Sequence, residues 1–164
     1  MKLSSLFTLA AGVSGMRIPQ ARGGIEQKDI IRIESTLPVS EVGCHGNPIS
    51  VTDAAAAKQK LVKWSDEGNR VEPHNMHGAF YTTAVWYTCN CKFFHSDAVP
   101  QEELDEAERL IEEKCGRGAS GWVWSQDWDK TWTLQQWVAV IGKAARDVCP
   151  PHCVYFDIEK VDVT

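Results

Sequence analysis

Cys89 and Cys91 stand two residues apart in Val85-Trp86-Tyr87-Thr88-Cys89-Asn90-Cys91, and that spacing allows two chemistries. On an extended strand both thiols leave the same face about 7 Å apart, too far to bond to each other, so each reaches a different element. Cys44, Cys115, Cys149 and Cys153 bring the total to an even six. Thiols so placed can be disulfide staples. With His95 near the first pair and His152 inside the last, they have spacings that a zinc ion could also accept. An even count behind an export signal favours staples, so neither a metal nor a cofactor is expected. Cys44 in a first loop and Cys115 at a helix end are natural partners for the pair on the strand, leaving Cys149 and Cys153 to close a tight loop around Pro150-Pro151. Sequence alone does not select this layout among the alternative pairings.

His74 and His77 flank Asn75-Met76 in a Pro-led loop. Such imidazoles could bind copper or zinc, or one could act as a general base near neutral pH, although no third ligand stands at a recognisable distance. Arg70-Val71-Glu72-Pro73-His74 alternates Arg, Glu and His on one side, as a small ribonuclease would need. Of the seven tryptophans, Trp122, Trp124, Trp128, Trp132 and Trp137 crowd one segment. Core packing accounts for Trp137 and for Trp122 or Trp124. Trp128 lies in the loop-like Ser125-Gln126-Asp127-Trp128-Asp129-Lys130 and is the candidate exposed contact. Aromatic rings of this kind stack on sugars or anchor interfaces. Asp127 and Asp129 could serve as paired carboxylates of a glycosidase only at a separation the sequence does not supply. No serine elbow, phosphate loop or N-x-S/T site occurs, and no catalytic residue is assigned.

These groups belong to a chain that reads as exported. Lys2, the apolar run over residues 6–13 and the small residues Val13-Ser14-Gly15 make residues 1–15 a signal peptide. That run is about half of the roughly 20 apolar residues a membrane span requires, so no stable membrane insertion is expected. Residues 16–24 form a loose N-terminal segment or propeptide, and residues 25–164 a single domain. Without the signal, 16 basic residues face 22 acidic ones, a formal charge of −6. That sign argues against nucleic acid and against anionic membrane surfaces as partners.

The elements that position these groups follow from periodicity. A strand is predicted over residues 29–37, and a helix from the Ser50 cap through the alanine run to Trp64, stopped by Gly68. The β-branched and aromatic residues 80–94 predict a strand central to a sheet. Pro100, Glu102, Glu103 and the stripe Leu104, Ala107, Leu110, Ile111 predict a second helix ending at Gly116. The charges along that helix, Glu102 to Glu113, read as its solvated face. Residues 121–133 predict a strand or bent hairpin, residues 134–148 a third helix, and residues 154–163 a last strand. With six cysteines and no phosphate-binding turns, the order implies a compact, disulfide-stapled α+β sandwich: a mainly antiparallel sheet with about three helices on one face.

The alanine-rich helix ending at Trp64, the His/Pro loop, Val85-Trp86-Tyr87-Thr88-Cys89-Asn90, and the step from Cys115-Gly116 to Gly121-Trp122 together resemble small cysteine-rich secreted proteins of filamentous fungi, many of them candidate plant-pathogen effectors. The resemblance spans roughly residues 51–132. The element order is also loosely similar to killer-toxin-like α/β sandwiches, a likeness of fold that says little about activity. The resemblance to those fungal proteins implies an extracellular, non-enzymatic binder that acts on a host or competitor, with a host protein or cell-wall glycan as partner and no catalytic residues; the chain is expected to be a monomer. Cys91 beside Asn90 and the tryptophan-dense strand depart from that group. A carbohydrate-binding module using the Trp-rich segment and a small secreted hydrolase, ribonuclease or glycosidase, are the alternatives.

Overall fold

The structure is a computed structural model that describes residues 35–153; the predicted signal peptide, residues 16–24 and the predicted strand at 154–163 lie outside that range. A five-stranded antiparallel sheet in the order β1-β4-β5-β3-β2 carries two long helices on one face, an α+β fold as expected. The strands are β1 (Glu41–Pro48), β2 (Asn75–Tyr81), β3 (Ala84–Asn90), β4 (Ala119–Ser125) and β5 (Lys130–Gln136). The long helices are α1 (Val51–Asp66), over β2 and β3, and α2 (Gln101–Cys115), over β1 and β4.

Both long helices begin where their sequence signals put them. The Ser50 hydroxyl accepts a hydrogen bond from Asp53 N at 3.2 Å, and α1 gives way to Gly68 in the left-handed region at φ 92°. Pro100 is the residue before α2 rather than its first turn, with extended dihedrals, and Gly116 at φ 94° ends it. Leu61, Leu104 and Ile111 are fully buried against Trp86, Val123 and Trp132 on the sheet, each worth about 1.5–3 kcal/mol of burial. Lys58 clamps the helices together, donating to Asp105 at 2.5 Å and Glu108 at 2.6 Å.

The strand predicted over 80–94 is instead a hairpin with its turn at Thr82-Thr83, and the sheet's centre is β5. Thr82 adopts φ 48°, a conformation β-branched residues disfavour. The carboxylate of Asp53 holds the turn by accepting from Thr83 N and Oγ1, at 3.3 and 2.6 Å. The predicted first strand is also displaced. Residues 29–34 lie outside the described range, Leu37 is a buried core residue outside any strand, and the pairing edge is β1, which contains Cys44 and stands where the sequence predicts the first loop.

The third helix is not where the apolar spacing put it. Leu134 continues β5 in register with Trp86, and a single 3-10 turn (Trp137–Ala139) follows, where Trp137 stacks on Phe80 at 4.2 Å. Gly142 at φ 74° turns the chain, and helix formation resumes only in α3 (Ala145–Val148). Cross-strand burial of Leu134 beside Trp132 outweighs its helical spacing.

The disulfides join Cys44 to Cys115, Cys89 to Cys149, and Cys91 to Cys153, which replaces the layout expected from sequence. Facing alternation explains the difference. Cys44 pairs across β1–β4 with Gly121, which abuts Ile111 and Cys115 of α2, so Cys44 looks towards the helices. Cys89 and Cys91 belong to the other face, where residues 137–153 cross.

Candidate functional site

The two faces of the sheet are closed differently, and the difference creates the site. Strand alternation sends Val85, Tyr87 and Cys89 of β3 away from the helices, and residues 137–153 cover them through two disulfides. Trp122 and Trp124 of β4 also point to this face, opposite the helix-facing Val123, and both remain half-buried. Between these indoles and the covering segment runs an open cleft of about 410 Å³. Its floor includes Thr131 and Thr133 of β5, its far wall is formed by residues 148–151, and Glu41 and His45 rim it on the edge strand.

Gly43 shapes the floor. It sits directly across from Trp122, and a Cβ there would fall 2.3 Å from Cε2 and Cζ2 of the indole. Only glycine lets the ring lie across the edge strand, one ring braced by backbone. Tyr87 is buried beneath the wall and donates from its hydroxyl to Val148 O at 3.5 Å, while burial pushes its phenol pKa up and Thr133 moderates the shift. Partial burial also lowers the His45 pKa below the ordinary imidazole value, leaving a neutral ring at pH 7 that can donate and accept. The Thr131 hydroxyl is buried at the floor without a hydrogen-bond partner among the described residues.

The residues singled out from sequence stand elsewhere and are not brought together. Trp128 is 37% exposed at the β4–β5 turn and meets Trp132 edge-on at 6.2 Å. Asp127 is exposed beside it, and Asp129, at φ 46°, turns the chain and accepts from Cys91 N at 2.8 Å. His74 lies 3.0 Å from Cys153 O through Nδ1 and has its ring against Phe93, so it fastens the start of β2 to the covering segment. His77 faces the helices instead, stacked on Trp64 at 3.6 Å, and burial lowers its pKa. Arg70 turns back to Ser65 O and Asn69 O, so Arg70 and His74 do not converge. Among the described residues no group of His, Cys, Asp and Glu is arranged to hold a metal ion.

A second polar cluster lies on the helix side. Lys130 is fully buried and donates to Ala98 O at 2.5 Å and Glu103 at 2.6 Å, with Asp97 at 3.5 Å. Trp132 Nε1 donates to the same Glu103 oxygen at 3.0 Å. Burial raises the Glu103 carboxyl pKa, and Lys130 pulls against that rise. Every charge here has a partner inside the fold, which makes the cluster a structural pin between α2 and β5.

The cleft's residues carried a signal that composition hid. Trp122-Val123-Trp124 alternates at strand period, which puts both indoles on one face. Gly43 and His45 flank Cys44 in the expected first loop, and only the pairing of β1 with β4 puts them on this face. The chain matches no family model, no curated protein and no solved structure, so the functional reading rests on this geometry.

Proposed function

We propose that this chain is a secreted recognition protein of the effector or toxin-like kind, binding a host or competitor target through the cleft beside Trp122 and Trp124. Its three disulfides make it a small protein of extracellular type. The observation that carries the reading is the contrast in use of aromatic residues. Trp86 and Trp132 are consumed by the core, whereas Trp122 and Trp124 are half-buried and line a concave surface beside residues 148–151, with Trp124 also packed against the second cluster. Concave, largely apolar surfaces with a few convergent polar groups are where ligands bind. The resemblance to small cysteine-rich fungal proteins supports the same reading.

Leaf infiltration of the purified protein, scored for necrosis or suppressed defence, tests it. A response that Trp122→Ala abolishes while circular dichroism stays unchanged is the expected result. No response in several hosts, or a full response from the variant, would overturn it.

A further inference from the structure

We infer that the cleft between β4 and residues 148–151 binds an uncharged saccharide chain, whose pyranose faces stack on Trp122 and Trp124 and whose hydroxyls meet Glu41 and His45. This deepens the proposed function and rests on the cleft being the recognition surface.

Five observations carry it. Trp122 and Trp124 are two residues apart on one strand face, so their side chains sit about 7 Å apart, side by side on a floor. That arrangement suits a flat, extended ligand, whereas a lone ammonium is best held by rings that close around it. Gly43 braces the Trp122 ring from the edge strand, so the platform exists before any ligand arrives and little ordering is needed on binding.

The polar groups fit sugar hydroxyls. Glu41 offers acceptors and His45, neutral at pH 7, offers one donor and one acceptor. Charge selects the class: among the described residues no lysine or arginine lines the cleft, and the Glu41 carboxylate at its rim repels uronic or sulfated glycans. The volume of about 410 Å³ lies within the roughly 300–1,000 Å³ of small-molecule clefts, and Glu41 at the β1 rim is exposed.

Titrating the full chain with cellohexaose, chitohexaose and laminarihexaose, followed by tryptophan fluorescence and calorimetry, tests the inference, with oligogalacturonate and chitosan oligomers as charged comparators. At least one neutral hexasaccharide is expected to bind. Trp122→Ala should weaken it tenfold or more and Glu41→Ala several-fold, with Trp128→Ala unchanged. Glu41 is exposed on an edge strand, so its variant remains informative if the tryptophan variant fails to fold. Binding of none of the neutral oligomers, tighter binding of a charged one, or loss at Trp128 but not at Trp122 would overturn the saccharide assignment. If no glycan binds yet Trp122→Ala abolishes the leaf response, the ligand class is wrong and the cleft stands. If that response survives, the cleft itself is wrong.

Discussion

The two faces of the sheet are built from the same strands but solve burial in opposite ways. On the helix side α1 and α2 supply a continuous apolar cover, and even the charges of Lys130 and Glu103 are paired within it. On the other side residues 137–153, with one four-residue α-helix and two 3-10 turns, pack over β3, and two of the three disulfides hold them there. On the helix face the sheet's aromatic residues Trp86 and Trp132 are fully buried under the helices. The face closed by covalent staples leaves aromatic residues half-buried, because a crosslinked loop need not tile the whole sheet to stay in place. Under the proposed function, stability and recognition fall on opposite sides of one sheet.

The largest effect should come from the saturated face. Lys130→Met leaves Glu103 and Asp97 without their buried cation and is expected to cost about 3–5 kcal/mol, read as a lower urea midpoint. Ligand binding by the molecules that remain folded should be unchanged; altered affinity would mean that the two faces are not separable. Replacing Cys89 and Cys149 together by Ser is expected to cost about 2–4 kcal/mol. Hydrogen exchange should then speed up across residues 137–153 while α1 and α2 keep their protection. Uniform loss of protection would show one cooperative unit and break the comparison.

A smaller change should act on the cleft alone. Gly43→Ala drives a methyl into the Trp122 ring, so the ring must move off the edge strand at about 1–3 kcal/mol. A shifted tryptophan emission with lowered saccharide affinity is the expected pair of observations. Unchanged emission would show that Trp122 is not braced by Gly43.

What was legible in the sequence divides along the same line. Helices α1 and α2 announced themselves through Ser50, Pro100 and an apolar stripe, because amphipathic packing on one partner writes its period into the chain. The second face wrote no such period. β1 lacks strand-forming composition at Gly43-Cys44-His45-Gly46, and its extended state comes from pairing with β4, a contact some 80 residues away in sequence. Residues 134–148 show helical spacing, yet Leu134 is buried by cross-strand neighbours and Gly142 interrupts the rest. The disulfide partners could not be read for a related reason: they depend on which side of the sheet each cysteine faces, and that is fixed only by register.

The smallest expected effect is on pH dependence, and it too separates the faces. Burial lowers the folded pKa of His77 on the helix side and of His45 at the cleft, both below the ordinary 6.5. The unfolded chain therefore binds more protons in this window. Each histidine's contribution is present above pH 6.5 and declines as pH falls through 6.5 towards the folded value. Glu103 acts in the opposite sense, because its raised pKa lets the folded state take up a proton first and adds stability as pH falls towards 4.5. Variants resolve the opposing slopes. His77→Phe keeps a ring on Trp64 without a titrating group, so its urea midpoint should fall less than that of the parent between pH 7 and 5. His45→Gln should flatten the same profile and also remove the pH dependence of saccharide binding, which His77→Phe should leave intact. If both variants changed stability and binding alike, protonation would couple the two faces, and the division of labour across the sheet would fail.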